Sequence, residues 1–281
     1  MKVSVALIIY NEEKHIKDCL DALLAQSFHD FEIIIINNGS TDKTSQILES
    51  YTDERIKVFL ENSRCGLASL RNISIQKASG EYIFFTDGDC IPSHHWIEEG
   101  LKILESRQYI GVEGKTFYTS EFGASNFPVE SFAGEFMTCN IAYPRHILKK
   151  INYFDTELKR AYEDRDLAMR LLAHGRIFFH KEMIVVHQKK RISIKSLFNH
   201  MKRIENRVYL IKKHGKTSQN IRFNIVYPKK LFAIFCPLAI LFIFKYNSLY
   251  DCVFGFFYYF ALCYERLLLW KFAFKSKIFL V

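Results

Sequence analysis

Residues 82–89 have the sequence Tyr82-Ile83-Phe84-Phe85-Thr86-Asp87-Gly88-Asp89, and this segment decides the fold that we expect. Its apolar first half predicts a buried strand, and its second half predicts a loop in which Gly88 permits a sharp turn. The ends of such strands are where open α/β sheets bind their ligands. Asp87 and Asp89 offer hard oxygen ligands, which suit a Mg²⁺ or Mn²⁺ ion that also contacts phosphate oxygens. A solvated turn with incidental acids is the alternative.

The first hundred residues repeat this strand pattern. Apolar runs predict strands at Val3–Ile9, 32–36, Ile56–Leu60 and 82–85, with helices at 12–26, 42–50 and 66–78 between them. This alternation predicts a parallel sheet with right-handed crossovers, and the continuous apolar runs predict helices on both of its faces. Ser40 or Thr41 is expected to cap the second helix. Beyond Asp89 we expect a helix capped by Ser93 and ending near residue 106, a strand at 109–118 and a surface loop at 119–134.

Composition limits the possible functions without choosing one. The chain has 281 residues, of which 49% are hydrophobic, so one catalytic domain with an appendage is expected. Its formal charge of +9 predicts an acidic partner, which is a nucleic acid, an anionic lipid or a phosphorylated substrate. The seven scattered cysteines include no Cys-x-x-Cys pair, so neither a disulfide framework nor a zinc site is indicated and a reducing, cytosolic setting fits best. Charged residues follow the first apolar run, which favours a strand over a signal peptide.

Four segments occur in an order that resembles the family 2 glycosyltransferases. They are residues 3–13, the Asn-Asn-Gly-Ser-Thr-Asp segment at 37–42, Arg71-Asn72 and residues 80–89. The resemblance covers roughly residues 3–190 and implies a GT-A fold, which is an α/β fold with a mostly parallel sheet flanked by helices. It also implies a nucleotide-diphosphate sugar as donor, a divalent cation on the Asp-x-Asp and inverting transfer. We expect a catalytic domain at 1–190, with a donor half at 1–118 and an acceptor half at 119–190.

The resemblance assigns the donor pocket to residues that follow the first two strands. Tyr10 would stack on the base, and Glu12 would accept a hydrogen bond from base or ribose, although it could instead only support the helix dipole. Asn37 and Asn38 stand where the family usually has aspartates. An amide keeps a donor and an acceptor but loses the charge, so Asn38 is expected to contact the base or ribose with an altered preference.

Four further residues are expected near the diphosphate and the metal. Arg71 would approach the diphosphate, with a solvated helical arginine as the alternative. Asp87 is expected to face the ribose or the metal, and Asp89 to bind the metal directly. His187 follows a strand-like segment at 183–186 and matches a position near the metal or diphosphate, although a structural histidine is equally compatible with the sequence.

The helix predicted from Tyr162 to a glycine cap at Gly175 carries the expected catalytic base. Inverting displacement needs a carboxylate that removes the proton of the acceptor hydroxyl, and the resemblance assigns this role to Asp164, with Glu163 positioning it. Acids at a helix start are also favoured by the dipole alone. Asn140 is expected to contact the acceptor. An apolar stripe of Leu167, Leu171 and Leu172 is expected to face the core.

The C-terminal third has a different character. Residues 191–228 have the pattern of a basic amphipathic helical segment, which suits an anionic membrane surface or packing on the catalytic domain. Residues 229–281 contain charge-free runs at 231–244 and 252–264, each shorter than the roughly 20 residues that span a membrane. We expect membrane-associated hydrophobic helices, either as a short hairpin or in the interface with Trp270 at headgroup depth, with an oligomer interface as the alternative.

These inferences lead to one hypothesis and two alternatives. The chain is predicted to be an inverting, metal-dependent glycosyltransferase at the cytoplasmic face of the cell membrane, in cell-surface polysaccharide or glycoconjugate synthesis. It would use a nucleotide-sugar donor, with UDP-sugar favoured, a glycan or lipid-linked acceptor and Mg²⁺ or Mn²⁺; a homo-oligomer is possible, and no nucleic-acid partner is expected. The alternatives are a polyprenyl-phosphate glycosyltransferase and a non-catalytic nucleotide-sugar-binding scaffold.

Overall fold

The computed structural model describes residues 1–62, 65–118, 129–159, 161–188, 203–215, 260, 263–268, 270–272 and 274–275. The strands are β1 Val3–Ile9, β2 Phe31–Asn37, β3 Ile56–Leu60, β4 Tyr82–Asp87, β5 Cys90–Pro92, β6 Gly111–Tyr118, β7 Val129–Glu130, β8 Ile141–Pro144 and β9 Ile177–His187. The helices are α1 Ile16–Leu24, α2 Thr44–Glu49, α3 Leu67–Lys77, α4 Trp96–Glu105, α5 Arg145–Lys150, α6 Glu163–Leu172 and α7 Ile204–His214.

The first four strands form the parallel sheet that the apolar runs predicted. Their order is β3-β2-β1-β4, and all three pairings are parallel. Every residue of β2 is buried, and α1 and α4 pack apolar side chains against β1 and β4 while α3 lies along β1 and β2. Only β3 departs from the prediction of full burial, because it lies at the sheet edge and leaves Leu60 exposed.

The second half of the sheet is mixed rather than mostly parallel, which corrects the sequence prediction. β8 runs antiparallel to β4 and β6, β5 runs antiparallel to β9, and β7 runs antiparallel to β6. Only β6 and β9 form a parallel pair among these strands. Hydrophobic periodicity identifies strands but says nothing about their direction, which here depends on pairings that are distant in sequence. Part of the loop expected at 119–134 is β7, and residues 119–128 lie outside the described residues.

Several predicted local features also differ. α4 begins after His95 without a side-chain cap, so Ser93 does not cap it, and α2 begins after Lys43, where neither Ser40 nor Thr41 caps it. α6 ends at Leu172 rather than on Gly175, and the side chain of Leu172 is exposed. Leu167 and Leu171 are buried as predicted.

Gly88 is required for a reason other than the predicted turn. A Cβ atom at this position would lie 2.9 Å from Cγ2 of Ile9 and 3.3 Å from Cγ of Glu12. Any side chain here would push the loop after β4 away from the end of β1. Glycine therefore permits close packing between two of the loops that form the sheet edge.

The chain divides into two compact units. One consists of Met1–Thr119 and Val129–Lys189, and the other of Ser120–Pro128 and Lys190–Val281. The finer domain boundaries proposed from the sequence stay predictions. In the second unit, α7 packs Ile204 and Val208 against Leu268 and Phe272, and an ion pair of 4.0 Å joins Arg207 to Glu265.

The hydrophobic helices expected at 229–281 fall mostly outside the described residues, which include neither the run at 231–244 nor most of the run at 252–264. Of the predicted amphipathic segment at 191–228, only residues 203–215 are described, and α7 lies within them. Among the described residues, no helix is both long and apolar enough to span a membrane. The membrane-associated helices therefore stay a prediction.

Candidate active site

The carboxyl ends of β1, β2 and β4 meet at one edge of the parallel sheet. Ile8 is paired with Asp87, and Ile9 with Asn37, so the residues that follow these strands become neighbours. The N–H of Asn38 donates a 2.9 Å hydrogen bond to the carbonyl of Ile9. The loops after β1, β2 and β4, which carry predicted donor residues, therefore lie next to one another at this edge.

The predicted donor residues at this edge differ in exposure. Tyr10 is 55% exposed, whereas Glu12 is buried beside the β4 loop. Asn37 is also buried, and its Oδ1 accepts hydrogen bonds from the N–H and hydroxyl of Ser40. Asn38 is partly exposed, so it is the asparagine of the pair that a ligand can reach.

Asn11 joins the β1 and β2 loops and was missed by the sequence analysis. Its Oδ1 accepts a 2.8 Å hydrogen bond from the N–H of Thr41, and its own N–H donates to Oγ of Ser40 at 3.1 Å. Its φ of 55° lies in the left-handed region, which asparagine tolerates better than most residues. An asparagine directly after an apolar strand was the available signal.

A cluster of possible metal ligands lies beside this edge. The ligand atoms of Asp87, Asp89, Cys90 and His187 all lie within 4.8 Å of one another. Nε2 of His187 is 3.7 Å from Oδ1 of Asp89. Carboxylates and imidazole suit Mn²⁺ and accept Mg²⁺, so the residues present fit the expected cation. The structure thus brings together the three metal ligands expected from the sequence and adds Cys90.

Strand pairing holds this cluster in place. Cys90 of β5 is paired with His187 of β9, and the N–H of Gln188 donates a 2.8 Å hydrogen bond to the carbonyl of Asp89. The two segments are about a hundred residues apart in the chain, so the sequence gave no direct sign of their register. That Cys90 directly follows the Asp-x-Asp was the one available signal.

Arg71 is buried between the cluster of possible metal ligands and α6. Its guanidinium forms an ion pair with Glu163 and lies 3.9 Å from Oδ1 of Asp87. The solvated alternative for Arg71 is therefore wrong. The contact with Asp87 places its charge at the metal side of the site, and the pair with Glu163 connects that side to the start of α6.

The expected catalytic base, Asp164, and its neighbour Glu163 lie at the N-terminus of α6. One carboxylate oxygen of Glu163 pairs with Arg71, and the other is buried without a hydrogen-bond partner among the described residues. Asp164 is partly buried, and its Oδ1 accepts a 2.7 Å hydrogen bond from the N–H of Arg165. Burial and the negative charge of Glu163 raise the pKa of Asp164 to about 7. A carboxyl with this pKa is suited to take up a proton near neutral pH.

Asn140 has a structural position that does not favour the expected contact with an acceptor. Its side chain is buried, where Oδ1 accepts a 2.8 Å hydrogen bond from Nε1 of Trp96. Its Nδ2 donates to the carbonyls of Lys115 and Met183 at 3.0 Å each. The amide thus joins α4, β6 and β9 inside the sheet.

Glu113 organises the segment before β8 and was also missed. It is buried and accepts hydrogen bonds from the N–H groups of Gly134, at 2.8 Å, and Phe136, at 2.5 Å. Burial raises its pKa to about 7. The sequence offered no signal, because an acid in the middle of a strand is usually solvent-facing.

Sequence comparison matches residues 4–171 to the family model described as Glycosyl transferase family 2. Glycosyltransferase AglE of Haloferax volcanii is 29% identical over 157 residues, which cover 54% of this chain and 51% of that protein. The chain therefore spans about half the length of this curated relative.

Two solved structures share the fold. Mannosyltransferase PcManGT from Pyrobaculum calidifontis, in complex with GDP-Man and Mn²⁺, has a TM-score of 0.69 at 17% identity, and the match covers 98% of this chain and 87% of that one. S. aureus TarS, in complex with UDP-GlcNAc, has a TM-score of 0.60 at 22% identity, covering 75% and 66% respectively. These likenesses show a mixed α/β fold of the GT-A type. Because the family model spans more than half of its residues, the chain belongs to glycosyl transferase family 2.

Proposed function

We propose that the chain is an inverting, metal-dependent glycosyltransferase that moves one sugar from a nucleotide-diphosphate donor to a glycan or lipid-linked acceptor. One observation carries this proposal. Arg71 contacts both Asp87 of the metal cluster and Glu163 beside Asp164, so a cation site and a carboxyl with a pKa of about 7 belong to one connected arrangement. An inverting transfer needs these two groups on opposite sides of the anomeric carbon.

The residues divide the reaction between them. Asp164 takes the proton of the acceptor hydroxyl as its oxygen bonds to the anomeric carbon and the bond from that carbon to the diphosphate breaks. Glu163, held by Arg71, keeps Asp164 in place. A divalent cation held by Asp87, Asp89 and His187 would neutralise the charge that develops on the departing diphosphate. Arg71 adds a positive charge on the same side of the site.

Two observations support a nucleotide-sugar donor. Structural neighbours were solved with UDP-GlcNAc and with GDP-Man, and the edge formed by β1, β2 and β4 offers an exposed ring at Tyr10 and a reachable amide at Asn38. Tyr10 would stack on the base, and Glu12 and Asn38 would contact base or ribose. We propose a UDP-sugar as the donor.

We also propose that the chain acts at the cytoplasmic face of the cell membrane. Helical residues Leu267, Trp270 and Phe274 follow one another at spacings of three and four, and each is more than 60% exposed. Lys271 and Lys275 stand next to them in the sequence, so apolar and cationic groups are adjacent, as an anionic bilayer surface requires. Flotation with vesicles that contain anionic lipid tests the proposed membrane binding. A chain that stays in the dense fraction would contradict that binding.

A donor panel tests the proposed activity. Thermal unfolding of the full chain is measured with UDP-, GDP- and dTDP-sugars, each with and without Mn²⁺. A UDP-sugar with Mn²⁺ should raise the Tm, since a ligand that binds only the folded state stabilises it. The Asp89→Ala variant should lose the Mn²⁺-dependent part of this shift, whereas Asp30→Ala, an exposed acid outside the site, should keep it. No shift with any donor would contradict the proposal.

A further inference from the structure

We propose that the thiol of Cys90 is a fourth ligand in the cation site and biases that site toward thiophilic divalent cations such as Zn²⁺ and Co²⁺ over Mg²⁺. The inference rests on the proposed function, because it assumes that a cation occupies the Asp87, Asp89 and His187 cluster. It goes beyond that function by naming the residue that sets the preference among cations.

The backbone directs Cys90 to the site. β5 begins at Cys90, directly after the Asp-x-Asp, and the antiparallel register with β9 sets Cys90 opposite His187. Its Sγ lies 3.9 Å from Oδ1 of Asp89, and it lies within 4.8 Å of the other ligand atoms of the cluster. A cation bound by these residues therefore has a sulfur atom among its near neighbours.

Burial keeps the sulfur in that position. The side chain of Cys90 is fully buried and that of Asp89 is almost so, which leaves little room for the thiol to turn toward solvent. Strand pairing on one side and the hydrogen bond from Gln188 to Asp89 on the other hold the two residues together. Burial therefore keeps the thiol close to the carboxylate.

The composition of the cluster determines which cations it prefers. Oxygen ligands alone suit Mg²⁺, which is hard and prefers octahedral oxygen coordination. Sulfur and imidazole ligands favour softer cations, and four protein ligands suit the tetrahedral geometry of Zn²⁺. When such a cation binds, the thiol loses its proton to solvent and binds as the thiolate.

A second buried thiol provides a matched control. Sγ of Cys19 lies 3.5 Å from the carbonyl oxygen of Asp87, so it is also close to the Asp-x-Asp, but it is not part of the ligand cluster. If proximity of any buried thiol were sufficient, Cys19→Ser and Cys90→Ser would have the same effect. If Cys90 is a ligand, only Cys90→Ser changes the cation preference.

The test uses Co²⁺ as a spectroscopic probe on the full chain, with a non-thiol reductant. Wild type and Cys19→Ser should show the near-ultraviolet charge-transfer band of a thiolate bound to cobalt, and Cys90→Ser should bind cobalt without it. In calorimetric titrations, Cys90→Ser should lower the affinity for Zn²⁺ relative to that for Mg²⁺ by at least about tenfold, since changes around metal ligands typically cost this much. Cys90→Asp should shift the preference toward Mg²⁺.

The outcomes separate this inference from the proposed function. Absence of the band in the wild-type cobalt complex overturns the inference. This result does not depend on whether any variant folds. A Cys90→Ser variant that keeps both the band and the Zn²⁺ to Mg²⁺ ratio overturns it as well. Cobalt binding that survives Asp89→Asn would instead show that the cation site itself is misassigned, which contradicts the proposed function.

Discussion

The donor edge and the catalytic half of the first unit are built in different ways. At the donor edge, Tyr10 and Asn38 directly follow β1 and β2, Asp87 ends β4, and the parallel pairing of these three strands brings the residues together. In the catalytic half, Glu163 meets Arg71 across 92 residues of chain, and His187 meets Cys90 through an antiparallel pairing. Local chemistry thus organises one region, and distant pairing organises the other.

This difference implies different responses to substitution. Tyr10, Asn38 and Asp87 at the donor edge are exposed or partly exposed, so their loss should affect ligand binding more than folding. Arg71 and Glu163 are buried and charged, so stability and catalysis depend on the same atoms. Three predictions test this contrast, beginning with the largest effect.

Asp164→Asn should lower the turnover rate by about 10²- to 10⁴-fold, the usual contribution of a general base. The donor affinity should stay unchanged, because the base faces the acceptor. In the wild type the rate should rise as the pH increases through about 7, since the carboxyl of Asp164 must lose its proton before it can act. The variant should lack this rise. Initial rates from pH 5.5 to pH 8.5, at saturating donor, measure the loss of turnover and its pH dependence.

Glu157→Gln, which changes an exposed acid near the same helix, is the control and should keep the wild-type rate. Retained turnover in Asp164→Asn with a hydroxyl acceptor would contradict the assignment of the base. A near-normal rate of this variant with polyprenyl phosphate would favour that acceptor, because its ionised phosphate needs little help from a base.

Arg71→Met and Glu163→Gln should each lower the free energy of unfolding by about 3–5 kcal/mol, because each leaves a buried charge without its partner. The double variant should lose less than the sum of the two. Urea unfolding of all four proteins measures the coupling. The same cycle on the more exposed pair Lys102 and Glu98 is the control and should give a coupling of at most about 1 kcal/mol. Additive losses at Arg71 and Glu163 would show that the ion pair does not connect the two sides.

Asn140→Ala should lower the free energy of unfolding by about 1–3 kcal/mol, because the N–H of Trp96 and two backbone carbonyls lose their partner inside the sheet. Its KM for the acceptor should not change. Asn38→Ala is the counterpart at the donor edge and should raise the KM for the donor without loss of stability. A raised acceptor KM at unchanged stability in Asn140→Ala would restore the contact first expected from the sequence.

The sequence predicted the donor edge better than the catalytic half, and for a physical reason. A strand that ends in Asp-x-Asp can be identified from adjacent residues, and β1 matches its predicted bounds, Val3–Ile9. The partner of Arg71, the amide bonds of Asn140 and the approach of Cys90 to His187 all depend on how distant segments pair. Hydrophobic periodicity carries no information on such pairing, and it also left the antiparallel direction of β8 unpredicted.

Gln188 has a consequence for any attempt to redesign donor preference. Its N–H donates to the carbonyl of Asp89, its Oε1 accepts from Nδ1 of His15 at 2.6 Å, and its Nε2 donates to Asp18 at 3.3 Å. The start of α1, directly after the donor loop with Tyr10, is therefore fastened to the same residue that holds the Asp-x-Asp loop. A donor loop grafted from a relative must therefore include a compatible partner for Gln188. Without one, a graft intended to change only the base pocket would also disturb the cation site.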